Sequence, residues 1–204
     1  MDSRLAAAGR WLPEEAAAGD GELAALAGLH RAGLAVTAII RVPAEAQEQF
    51  YRYGNLVGRL SRLFRDVDPD DPDEDDLEEL APEAMALITG SYLLDETVDT
   101  FYDSVGWLPP ARRIRRPGGP GIEASGDRAS LLALKRTWAE DWSFESLAAR
   151  LRAAGSFRLE ASPVLVHEAD RPTDDRRLLA QVERLLGRPV AVHVTPDGSI
   201  SRLG

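Results

Sequence analysis

The sequence predicts an α+β fold: a small, mostly antiparallel sheet carrying a long helical hairpin and further helices. Three observations predict it. Residues 34–42 (LAVTAIIRV) are a short, β-branched apolar run of strand length. Residues 43–108 place apolar side chains at steps of three and four, the period of a helix with one buried face. Residues 157–204 change character, with alternating valines on either side of one amphipathic helix, a β-α-β-β pattern. A chain of 204 residues, 44% apolar, can bury one sizeable core, so a single domain spanning 1–204 is expected.

The elements follow in order. The alanine-rich start is helix-prone, with Asp20 placed to cap a helix through Leu23, Leu26 and Leu29, and Gly33 placed to end it. Strand 34–42 stops at Pro43, which can open the next helix. That helix spans 43–65 on the stripe Phe50, Tyr53, Val57, Leu60 and Phe64, with Gly54 and Gly58 read as points of close backbone approach. A partner helix starts near Pro82 and runs to Val105 on Ala84, Leu87, Ile88, Ser91, Leu94, Val98 and Phe101. Together they form an antiparallel hairpin over 43–108, wide enough to suggest a homodimer packed through it. Residues 109–126 hold four prolines and four glycines and read as a flexible loop. Asp127 caps a helix with Leu131, Leu134, Trp138 and Trp142, and Ser143 caps another that ends at Gly155. The unit 157–204 comprises a strand to Glu168, a helix over 174–186, and a hairpin turning at Pro196-Asp197-Gly198. Its strands and strand 34–42 are expected in one sheet, because a lone strand leaves its backbone unpaired.

Charge is confined. Ten of the fourteen residues from Asp66 to Glu79 are acidic and none is basic. Setting those ten aside leaves 24 acidic residues against 24 lysines and arginines, so the whole formal charge of −10 sits in one segment. Dense like charges repel, and Pro69 and Pro72 break helix, so an extended, disordered acidic loop is expected. Opposed to it is the cluster Arg112, Arg113, Arg115 and Arg116 in the 109–126 loop. The two segments are the expected partner-binding surfaces, with Asp70, Asp71, Asp73, Glu74, Asp75 and Asp76 on one side and those four arginines on the other. Nucleic-acid binding through the arginines is a further reading, opposed by the acidic balance of the chain.

Absences narrow the chemistry. There are no cysteines, so disulfides, thiolate catalysis and iron–sulfur ligation are excluded. Lys135 is the sole lysine against 23 arginines, the composition expected of a GC-rich bacterial genome, and it leaves no phosphate-loop lysine. No apolar run approaches the ~20 residues that span a bilayer, and residues 1–30 lack an apolar stretch of signal-peptide length, so no membrane association and a cytoplasmic location are expected. No cofactor is implied.

Three constellations could carry chemistry. Asp66, Asp68 and Asp70 match the first liganding positions of an EF-hand loop, but Asp71 stands where glycine is needed and Leu77 replaces the bidentate glutamate. His167 and His193 fall on strands and could share a sheet face as two ligands for zinc or iron. Glu96 and Asp99, preceded by Glu78, Glu79 and Glu83, have a spacing that resembles the MazG-type all-α nucleotide pyrophosphatases, whose signature upstream is Glu-Glu-x-x-Glu. Here Pro82 takes the third place and the glutamate comes one residue later. The resemblance covers about twenty residues and implies a magnesium-dependent hydrolase using Glu83, Glu96 and Asp99. The expectation that ranks first remains a non-enzymatic interaction protein.

Overall fold

The computed structural model describes the backbone of residues 9–11 and residues 21–204 in full. The fold is α+β, with eight helices and two antiparallel sheets among the described residues. The larger sheet has the order β1 (Gly9–Trp11), β2 (Ile39–Val42), β5 (Val164–Glu168), β3 (Ala111–Arg115), β4 (Ile122–Ser125). The smaller has the order β6 (Arg171–Pro172), β7 (Val192–Val194), β8 (Ile200–Leu203).

Strand alternation makes the larger sheet the partition of the molecule. Ile40, Val42, Ile114, Val164 and Val166 point into a first core, built with helices α2 (Ala44–Tyr53), α3 (Leu56–Leu63), α4 (Glu74–Gly90), α5 (Asp95–Val105), α6 (Asp127–Ala139) and α7 (Phe144–Ala154). Their neighbours Ile39 and Leu165 point the other way, into a second core with α1 (Gly21–Arg31), α8 (Arg176–Leu186) and the smaller sheet. The central strands β2 and β5 serve both cores, burying side chains on each face. This explains why residues 39–42 and 164–166 are almost uniformly apolar.

Several expectations are corrected. Strand 34–42 divides its work: Ile39–Val42 joins the larger sheet, whereas Val36 makes a parallel bridge to Ile200 of the smaller one. The C-terminal strands therefore do not share one sheet; β5 is central in the larger, and β7 and β8 build the second. The helix through Leu23, Leu26 and Leu29 is present as α1, but the helix-prone start before it also contains the edge strand β1, and Asp20 lies outside the described residues. The helix over 43–65 is two helices, because Asn55 takes a left-handed backbone (φ 47°). A Cβ on Gly58 would sit 2.9 Å from the Asn55 Oδ1, so this glycine makes room for the Asn55 side chain and not for another helix. The helix expected over 82–105 is also two. Its first half starts earlier, at Glu74, because Leu77, Ala81, Ala84 and Ile88 continue the buried stripe through Pro82. It ends at Gly90, where the Lys135 ammonium donates to the carbonyls of Thr89 and Ser91.

The acidic tract is thus half helix. Asp73 is the N-cap, its Oδ1 accepting from the Asp75 backbone N–H at 3.0 Å. Glu74, Asp75 and Asp76 fill the first turn, where the positive end of the helix dipole stabilises them. Repulsion among carboxylates is offset there by an interaction that a disordered loop does not offer. No helix among the described residues is long and apolar enough to cross a membrane.

Candidate functional site

A groove of about 850 Å³ opens on the first-core side, between α2–α3 and the segment that follows α7. Its lining includes Tyr51, Leu60, Phe64, Trp142, Phe157 and Leu159. Phe64 stacks on Phe157 (ring centroids 4.8 Å apart) and on Trp142 (5.7 Å), which fixes the aromatic lining in place. Trp142 Nε1–H donates to the Tyr51 hydroxyl at 2.9 Å, and the Arg150 guanidinium lies 5.0 Å from the Trp142 ring on a cation–π contact. Burial pushes the Tyr51 phenol well above its ordinary range, so it stays protonated and serves as a hydrogen-bonding group, not a base. Beside it, Gln47 Nε2 donates to Asp141 Oδ2 at 2.7 Å, and Arg116 binds the same carboxylate while donating to Gln47 Oε1 at 3.0 Å. One polar lining residue is therefore held in a single orientation from behind.

One rim of the groove is acidic. Pro69 lines it, and the Asp70 carboxylate lies 3.5 Å from where a Cβ on Gly155, another lining residue, would stand. Asp68 Oδ1 accepts from the Asp70 backbone N–H at 3.0 Å, folding the segment back on itself. Asp70 is exposed at this edge, and its sequence neighbours Asp66, Asp68, Asp71, Asp73, Glu74, Asp75 and Asp76 are exposed too. Glu48 adds a carboxylate to the lining; Arg52 and Arg158 are its cations. Val57, 62% exposed, presents an apolar side chain at the mouth.

The four arginines are placed elsewhere. Residues 109–126 are a β-hairpin and not a flexible loop, and the arginines face inward from β3 and the residue after it. Arg112 meets Asp127 at 2.6 Å and donates to the carbonyls of Pro109 and Leu108. Arg116 pairs with Asp141 on the same face of the strand. On the opposite face, Arg113 binds Asp170 and Glu123, and Arg115, wholly buried, holds Glu22 by two bonds of 2.7 and 2.9 Å. Glu22 also accepts from the backbone N–H groups of Gly118 and Leu203, and Arg115 reaches the Ser201 carbonyl. The arginines thus clamp α1, α6 and both sheets to one hairpin, and they are not available as a surface for a partner or for nucleic acid. Their signal was misread because a run of arginines between glycines and prolines looks solvated until its carboxylates, far away in sequence, are brought in.

The two histidines do not form a metal pair. His167 is in the larger sheet and fully buried; His193 is in the smaller. His167 Nε2 accepts from Arg115 Nε–H at 2.9 Å, and Nδ1 faces the Glu168 carbonyl at 2.8 Å. A guanidinium N–H can only donate and a carbonyl can only accept, so the ring is neutral with its proton on Nδ1. Burial, then the positive charge of Arg115, lower its pKa from 6.5 to about 4. His193 lies against Arg202 at 2.8 Å and is lowered too, by burial and then by that charge. Glu83, on α4, and Glu96 and Asp99, on α5, are each exposed. Among the described residues, no three His, Asp or Glu side chains form a group that could hold a metal ion. This removes the geometric support for the pyrophosphatase-type carboxylate set and for the His167–His193 site.

Sequence reading missed the groove. The stripe over 43–65 correctly marks a buried face, but its opening depends on where residues 155–161 pass, and no periodicity encodes that. No protein-family model matches this chain, and no curated protein matches it.

Proposed function

We propose that this chain is a non-catalytic protein-interaction module, working in a bacterial cytoplasm, that receives a cationic, apolar-tipped segment of a partner protein. The supporting observation is the juxtaposition of an aromatic groove with an exposed acidic edge. The groove lining supplies apolar area, worth about 25 cal/mol per Å² removed from water. The carboxylates of Asp66, Asp68, Asp70 and Asp71 attract a cation and set the direction in which the segment lies. The four arginines of the hairpin hold the groove's supporting layer together and make no contact with the partner.

The test uses fluorescence anisotropy with two labelled 12-residue peptides, one alternating lysine with leucine and phenylalanine, the other with glutamate in place of lysine. The basic peptide binds and the acidic one does not. Ser61→Trp, which places an indole in the groove, abolishes binding, and Asp68→Asn/Asp70→Asn/Asp71→Asn weakens it at least tenfold at low salt. Equal binding of both peptides, or an unchanged affinity in the Ser61→Trp variant, defeats the proposal.

A further inference from the structure

The molecule carries a second charged surface, of opposite sign, that the groove does not use. Helix α8 is capped at its start by Asp175, whose Oδ1 accepts from the N–H groups of Arg177 and Leu178, and closed by Gly187 in the left-handed region (φ 70°). Its apolar side, Leu178, Leu179, Val182 and Leu186, is committed to the second core. Its outer side is basic. Arg177 and Arg184 lie seven residues apart and about 20° from one another around the axis, with Gln181 between them. Arg171 and Arg176 precede them and Arg188 follows; all five are exposed. None is held by a carboxylate in an ion pair among the described residues, in contrast to the four arginines of the hairpin. Glu183 is turned about 120° from Arg177 and does not neutralise that line.

We infer that this basic face of α8 docks on the acidic tract of a second copy of the chain. The tract has ten carboxylates between Asp66 and Glu79 and no internal cation within it. It flanks the first core through Val67 and Leu77, while α8 packs on the second core across the central sheet. A chain's own tract and its own α8 thus lie on opposite layers, and the charges are satisfied between copies. The two surfaces differ, so the contact is head-to-tail and extends to chains or rings instead of closing as a two-fold dimer. Exposed ion pairs are individually weak, so the association is reversible and salt-sensitive. This inference does not depend on the groove binding anything.

Sedimentation velocity on the full chain tests it. At about 20 mM NaCl the average mass rises with protein concentration, and at about 500 mM it returns to the 22.2 kDa monomer. Arg177→Glu/Arg184→Glu/Arg188→Glu abolishes the rise, and so does Asp71→Lys/Asp76→Lys/Glu79→Lys. An equimolar mixture of the two variants regains it, which a misfolded variant could not do. Ser61→Trp leaves it unchanged, separating this contact from the groove. Wild-type chain that stays monomeric at low salt overturns the inference, as does association that persists in the arginine variant or ignores salt. Binding of a single-stranded oligonucleotide by a chain that does not self-associate also overturns it and assigns the basic face to nucleic acid.

Discussion

Lowering the pH from 7.5 to 5 should remove about 2 kcal/mol of stability through His167 alone. In the folded protein this imidazole is fully buried between Arg115 and the Glu168 carbonyl, and its pKa is about 4 against 6.5 for a free side chain. Protonation would set an N–H against the Arg115 N–H and add a third positive charge to those of Arg113 and Arg115, relieved only in part by Asp170. The unfolded chain has no such conflict and takes its proton near 6.5. Between 6.5 and 4 the unfolded state therefore binds more protons, and stability rises with pH. The contribution is complete above 6.5, falls as pH drops toward 4, and is flat below that. The full gap amounts to about 3 kcal/mol, of which about 2 kcal/mol is lost by pH 5. For a chain of this size that is a drop in Tm of about 4–8 °C. The assay is urea or thermal unfolding of wild type and His167→Gln across this range. The glutamine keeps one acceptor and one donor but does not titrate, so the difference between the two curves isolates His167. His193 is also lowered, by burial and then by the charge of Arg202, and its contribution is controlled by His193→Gln. Asp170 acts lower: burial alone would raise its pKa, but the Ser201 hydroxyl, His167 and Arg113 hold it down, so its contribution is lost below the ordinary range of an aspartate. If His167→Gln follows the wild-type pH curve between 7.5 and 5, the neutral, buried imidazole is wrong.

Arg115→Met strands the Glu22 carboxylate and should cost about 3–5 kcal/mol by urea denaturation, whereas Arg115→Met/Glu22→Leu recovers most of that loss. Gly121→Ala is expected to cost more than about 2 kcal/mol, since φ is +75° and the new Cβ would fall 2.5 Å from the Arg115 Cβ; a neutral result by calorimetry would show that the hairpin turn can shift. Asp73→Ala removes the α4 cap and should cost about 1 kcal/mol, more than Asp71→Ala by the same measurement. Glu83→Gln, Glu96→Gln and Asp99→Asn are surface changes within about 0.5 kcal/mol. Magnesium-dependent pyrophosphate release from nucleoside triphosphates that Glu96→Gln abolishes would reinstate a catalytic reading.

The elements read best from sequence are those whose burial is one-sided and local. Helix α8 declares itself through the amphipathic pattern of Leu178, Leu179, Val182 and Leu186 and through the Gly187 stop. Helix α7 does so through Ser143, Leu147, Leu151 and Gly155. Elements that depend on distant partners were misread. The break at Gly90 needs Lys135 from α6, and the extension of α4 back to Glu74 needs a core able to hold Leu77. Of the residues expected to bind partners, the acidic set stays exposed, and Asp70 lies at the rim of the groove. The arginine set is consumed inside. Both sets are charge runs in the sequence, and only the positions of Glu22, Asp127, Asp141 and Asp170 distinguish them.

By itself the sequence determined the α+β class, the stripes and alternations that become the two cores, and the confinement of net charge to one segment. These follow from side-chain chemistry at fixed spacing along the chain. The tertiary structure alone decided which charges meet water and which meet each other, because a buried arginine is stable only opposite a carboxylate that folding delivers from elsewhere. It also decided that a groove exists beside the acidic edge, since a concave surface belongs to the gap between elements and not to any one of them.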